Sequence, residues 1–186
     1  RCWLSRPECP KVIRQCKFLF DKYLSAGENL SYDSTYESNK APSSVPSDLR
    51  KLTSAKLIVF YPHFRFGGSN FSCRSTHVGN SLVFFYPGGC TSTAVPGSIK
   101  YIISYKGEIQ FVIQRQLHAN EDVLDPFCRY PHFPASLYSA QLSDMLELVR
   151  PSWVVCHFAQ WQYSQGEVVI LRLTQVCHES EFMTNN

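Results

Sequence analysis

Cys73-Arg-Ser-Thr-His77 and Cys128-Arg-Tyr-Pro-His132 share the spacing Cys-x3-His, and Cys156-His157 and Cys177-His178 set the same two residue types side by side. Thiolates and imidazoles are zinc ligands and nucleophile–base couples, so these are the first candidates for chemistry. Structural zinc is announced by two close ligand pairs, usually with two to four residues between cysteines. No Cys-x2-Cys occurs here, and adjacent residues on a strand face opposite ways, which keeps Cys156 and His157 from serving one ion. A thiol hydrolase needs a thiolate beside an imidazole, best at a helix start that lowers the thiol pKa. Cys73 or Cys128 with His63, His77, His118 or His132 are the couples on offer, yet neither thiol opens a convincing helix. Glu121, Asp122 and Asp125 cluster in an irregular stretch and read as a solvated face. Gly67-Gly68 and Gly88-Gly89 lack the following lysine or helix start of a phosphate cradle. No catalytic residue, metal ligand or cofactor is therefore assigned.

A second constellation suits recognition. Tyr61-Pro-His-Phe64 recurs as Tyr130-Pro-His-Phe133, with unrelated flanks. Arg65 and Phe66 follow the first copy, while Arg129 precedes the second and Tyr130 opens it. Aromatic and arginine side chains leaving regular structure are favoured contacts for proteins and for single-stranded nucleic acid. Arg65, Phe66, Arg129 and Tyr130 are thus the expected binding residues.

The elements that must position these groups start with Pro10 and a stripe of Ile13, Cys16, Phe20 and Leu24 before Gly27, which predict a helix over 10–25. Residues 28–48 hold six Ser and two Pro with few aliphatics, the composition of a mobile loop. Ser47 is a candidate cap for a short helix through Ser54, and 56–61 and 81–86 read as strands stopped by Pro62 and Pro87. Two hairpins are expected, over 98–115 around Tyr105-Lys106-Gly107 and over 153–175 around Ser164-Gln165-Gly166. A three-residue loop in the first would pair Ile103 with Ile109, Tyr101 with Phe111 and Ile99 with Ile113, aligning one apolar face. The same loop in the second pairs Trp161 with Val169, Ala159 with Leu171 and His157 with Leu173, pointing His157 at apolar neighbours. Residues 119–134 read as irregular. Tyr138, Leu142, Met145 and Val149 recur at helical spacing and predict a helix ending before Pro151.

These elements predict one α+β domain over 1–186, a mainly antiparallel sheet with two hairpins and two to three helices, and a mobile Ser/Pro-rich loop at 28–48. At 186 residues the chain needs no disulfide to fold. Eight cysteines admit bridges in a secreted chain, and Asn29-Leu-Ser31 and Asn70-Phe-Ser72 are glycosylation sequons that fit that reading. Cys16 and Cys156 sit on apolar faces, however, and with no tight cysteine spacing they point to an intracellular protein. The chain does not open on Met, so it reads as a processed protein or part of a longer one. No apolar run approaches the ~20 residues that cross a bilayer, so no membrane span is expected. Charged residues are 18% and aromatics 14% of the chain, against about 25% charged in ordinary domains. Low charge with surplus aromatics suggests surface covered by a partner. The expectation is a non-enzymatic protein–protein interaction domain, part of a larger protein or complex. The alternatives are a Cys/His or metal-assisted hydrolase and a single-stranded nucleic-acid-binding domain.

Overall fold

The structure, a computed structural model, describes residues 9–11, 13–14, 41–90, 92–120, 122–130 and 132–173. Among the described residues ten strands carry the fold: β1 (Ser43–Ser44), β2 (Leu57–Tyr61), β3 (His63–Phe66), β4 (Ser69–Ser72), β5 (Leu82–Phe85), β6 (Val95–Tyr105), β7 (Glu108–His118), β8 (Ala135–Val149), β9 (Val154–Ser164) and β10 (Glu167–Arg172). A four-residue helix, α1 (Val78–Ser81), precedes β5, and 3-10 turns occupy Leu49–Lys51 and Pro151–Trp153. Strands β5, β6, β7, β8, β10 and β9 pair antiparallel in that cyclic order and close a six-stranded barrel. Strand β2 lies on the end of β6 beyond β5, and β1 lies on β2.

The α+β expectation is therefore wrong: the domain is a β-barrel. The expected helix over 138–149 lies within the longest strand, β8. Between its pairings Gln114↔Leu146, Gln116↔Leu142 and His118↔Tyr138, β8 advances four residues for every two of β7. Each excess forms a bulge, in which the hydroxyl of Ser139 or Ser143 accepts from the N–H of Gln141 or Met145. The freed carbonyls are capped from β7, Gln114 donating to Ser143 and Gln116 donating to both Ser139 and Gln141. Same-face residues Tyr138, Leu142 and Leu146 thus recur every four positions, which imitates helical periodicity.

The first hairpin also differs from expectation. Lys106 (φ 53°) and Gly107 (φ 81°) form a two-residue turn, pairing Tyr105 with Glu108, Ile103 with Gln110 and Tyr101 with Val112. A bulge at Lys100 then restores Ile99↔Ile113. Aligning a single apolar face is no constraint here, because both faces of the wall are covered. Ile102, Phe111 and Ile113 pack with Val83, Phe85, Ile99 and Val149, while Ile103 and Val112 pack with Val45, Leu49 and Ile58 on the opposite side. All four residues of β5 are buried for the same reason. The extruded Lys100 meets Asp48 at 2.8 Å. That carboxylate also accepts from Tyr101 Oη and from the N–H of Leu49, making Asp48, not Ser47, the cap of the first 3-10 turn. Lys100, ahead of the other donors, holds the Asp48 pKa below the usual carboxylate value.

The second hairpin has the expected register, with Val169↔Trp161 and Leu171↔Ala159, and the Leu173 N–H donates to the His157 carbonyl. The described residues between 119 and 134 are irregular and bury Phe127 against β8 and β10. Lys11, Ile13 and Arg14 are helical behind Pro10, and Ile13 is buried in the same cluster. Cys16, Phe20, Leu24, Gly27 and 28–40 lie outside the described residues. The remainder of the Ser/Pro-rich stretch carries β1 and buries Val45.

Candidate interaction site

Pro62 has no N–H to extend the ladder of β2, and the chain turns out of the barrel there. It then forms a separate two-stranded sheet, β3–β4, with pairs His63↔Ser72, Phe64↔Phe71, Arg65↔Asn70 and Phe66↔Ser69. Gly67 and Gly68 (φ 57° and 80°) close it with the two consecutive positive φ angles that a tight type I′ hairpin requires. The N–H of Cys73 closes the base on the Pro62 carbonyl (3.1 Å), and that of Arg74 ties it to the barrel through the Ile99 carbonyl (2.8 Å).

Alternation then sorts the hairpin's side chains. Phe64 and Phe71 face the barrel, with ring centroids 6.0 and 5.1 Å from that of fully buried Phe111. Phe66 continues the row, parallel to Phe64 at 6.4 Å, and overhangs the core at 44% exposure. His63 and Arg65 occupy the other face and are exposed. An aromatic row thus runs from the core to the surface with His63 and Arg65 behind it.

Arg129 and Tyr130 lie elsewhere. The Tyr130 N–H donates to the Phe127 carbonyl, the Phe133 N–H donates to the Tyr130 carbonyl, and Phe133 stacks on Phe127 at 5.9 Å. Tyr130 is half-buried against that cluster and Arg129 is exposed. The two expected pairs are therefore anchored in different parts of the core, Arg65–Phe66 beside Phe111 and Arg129–Tyr130 beside Phe127.

The Cys/His couples are turned to other tasks. The Cys73 thiol is buried and donates to the Tyr61 carbonyl at 3.3 Å, whereas His77 Nδ1 accepts from the N–H of Asn80 and caps α1. Asp125 accepts from the N–H groups of Phe127 and Leu137, fixing the irregular loop. Cys9, Cys90 and Cys128 are free thiols. Cys2, Cys16, Cys177, His178 and Glu121 lie outside the described residues. Among the described residues no three His, Cys, Asp or Glu side chains gather as a metal site, and no helix is long and apolar enough to cross a membrane.

His157, opposite Val83 on β9, stacks its ring on Phe71 at 4.9 Å. Its Nε2 is buried with no hydrogen bond of normal geometry. Burial pushes the His157 pKa down, and backbone groups of Asn80 and Asn70 offset part of that. This ring supports the base of the hairpin from below.

One signal escaped the residue-by-residue reading. Residues 49–107 contain seven Lys and Arg and no Asp or Glu, so this stretch carries +7 while the remainder carries −4. The hairpin lies inside it. No known protein family, curated protein or solved structure matches the chain.

Proposed function

We propose that this barrel is a protein-interaction domain whose contact element is the β3–β4 hairpin. The observation that carries the reading is the overhanging Phe66 beside exposed Arg65. A ring held by its stacked neighbour loses little side-chain freedom on docking, and Arg and aromatic anchors dominate interface energetics. Leu57, Leu124 and Met145 are exposed on separate elements, while Trp161 and Tyr163, exposed two residues apart on β9, are the other aromatic pair at the surface. Arg129 is a second, separate contact candidate; Tyr130 acts mainly in packing. The separate engagements of the Cys73 thiol and the His77 ring favour this non-enzymatic reading over a thiol hydrolase.

A photo-crosslinking side chain at Phe66 tests this in extract, with the same group at exposed Met145 as control. A discrete protein adduct from position 66, absent from 145 and suppressed by Arg65→Glu, is the expected result. Equal labelling from both positions, or none from 66, would overturn it.

A further inference from the structure

Resting on that reading, we infer that the hairpin's partner is an extended acidic peptide segment that adds to the open edge of β3, its carboxylates meeting Arg65 and His63. The edge is available because, among the described residues, β3 pairs only with β4. In a two-residue hairpin the closing pair, here Phe66 and Ser69, exchanges its hydrogen bonds inward, and such pairs alternate along the ladder. Phe64 and Phe66 therefore bond to β4, while the N–H and C=O groups of His63 and Arg65 point away from it. An added strand would bond to these two residues, as in other strand-addition complexes.

Charge complementarity selects the sequence that binds there. Arg65 and Arg74 are exposed and make no ion pair among the described residues, whereas Lys100, in the same acid-free stretch, is matched by Asp48. Arg74 follows β4 at the His63 end of the hairpin, since Ser72 pairs with His63. The edge strand and its base thus present His63, Arg65 and Arg74 with no carboxylate in the surrounding 49–107 segment. Because strand side chains alternate, a docked peptide would set acidic residues on the His63–Arg65 face and apolar ones on the Phe64–Phe66 face. A single strand of nucleic acid fits less well. It calls for successive stacking platforms along a cationic groove, and the hairpin exposes one ring beside a backbone edge of peptide periodicity.

The test uses the full chain and fluorescein-labelled peptides of about eight residues, one alternating Glu and Leu and one alternating Gln and Leu, with oligo-dT of about twelve nucleotides as the competing class. Fluorescence anisotropy should show the Glu peptide binding at least about tenfold more tightly than the Gln peptide, with Arg65→Glu removing the difference and added salt weakening it. Amide exchange should slow at His63 and Arg65 when the peptide is bound. Equal binding of both peptides, indifference to Arg65→Glu, no protection at the β3 edge, or tighter binding of oligo-dT would each overturn the inference. A protein adduct at position 66 that the Glu peptide does not displace would sink the acidic partner while leaving the interaction reading in place. Absence of any adduct together with oligo-dT binding would sink both.

Discussion

At 61–64 the tetrapeptide Tyr-Pro-His-Phe carries the chain out of the barrel and into a hairpin, while in its second copy Tyr130 and Phe133 pack over β8 and β10. In the first copy Phe64 is held edge-on by Phe111 and hands an aromatic row outward to Phe66. In the second, Phe133 lies flat on Phe127 and the row ends in the core. The residues immediately after each copy make the difference. Phe66-Gly67-Gly68 lets the chain reverse at once, whereas Pro134 leads directly into β8 and gives its carbonyl to the N–H of Arg172. Identical side chains therefore become surface or core according to where the next turn permits the backbone to go.

The largest effect should come from removing the anchor of the first copy. Phe111→Ala strips the support from Phe64 and Phe71 and should cost about 3–5 kcal/mol, read as a lower urea midpoint with faster amide exchange in β3 and β4. A hairpin that stays protected in this variant would show that Phe111 does not hold it.

Truncation within the two regions gives a smaller and unequal effect. Phe133→Ala, half-buried on Phe127, should lose about 1–2 kcal/mol, and Phe66→Ala about 0.5 kcal/mol or less, while only the latter abolishes partner capture. Equal stability losses from the two would erase the contrast between core and surface.

The smallest effect is confined to acid. His157 supports the hairpin through Phe71, and burial lowers its pKa below the ordinary 6.5, so below that value the unfolded chain binds the proton more readily than the folded one. Its contribution is whole above pH 6.5 and falls as pH drops below it. Urea midpoints measured downward from neutral pH should decline more steeply for the parent than for His157→Leu. Parallel curves would mean that the imidazole is as easily protonated in the folded state as in the unfolded one.

Much of the local structure was legible. Turn chemistry around Lys106-Gly107 and Ser164-Gln165-Gly166 located both hairpins, prolines 62 and 87 ended β2 and β5, and the second register followed from alternation. Arg65 and Phe66 were contact candidates because an arginine and an aromatic follow the point where Pro62 ends a strand. Local sequence did not reveal that Tyr130 would fold back on Phe127, since that depends on strands β8 and β10 arriving beneath it. Strand β8 was misread because two serine-capped bulges, completed by glutamines from β7, reproduce the spacing of a helix. The register of the first hairpin was misjudged because alternation decides only where one face is wet, and here 45–58 covers the side opposite Phe111. Closure of the barrel rests on β5–β9 and β8–β10, pairings between strands distant in sequence. Sequence by itself determined the turns, strand ends and charge distribution, which depend on a residue and its near neighbours. Tertiary structure alone decided which aromatic became core and which was left at the surface, because burial is a property of whatever packs from across the sheet.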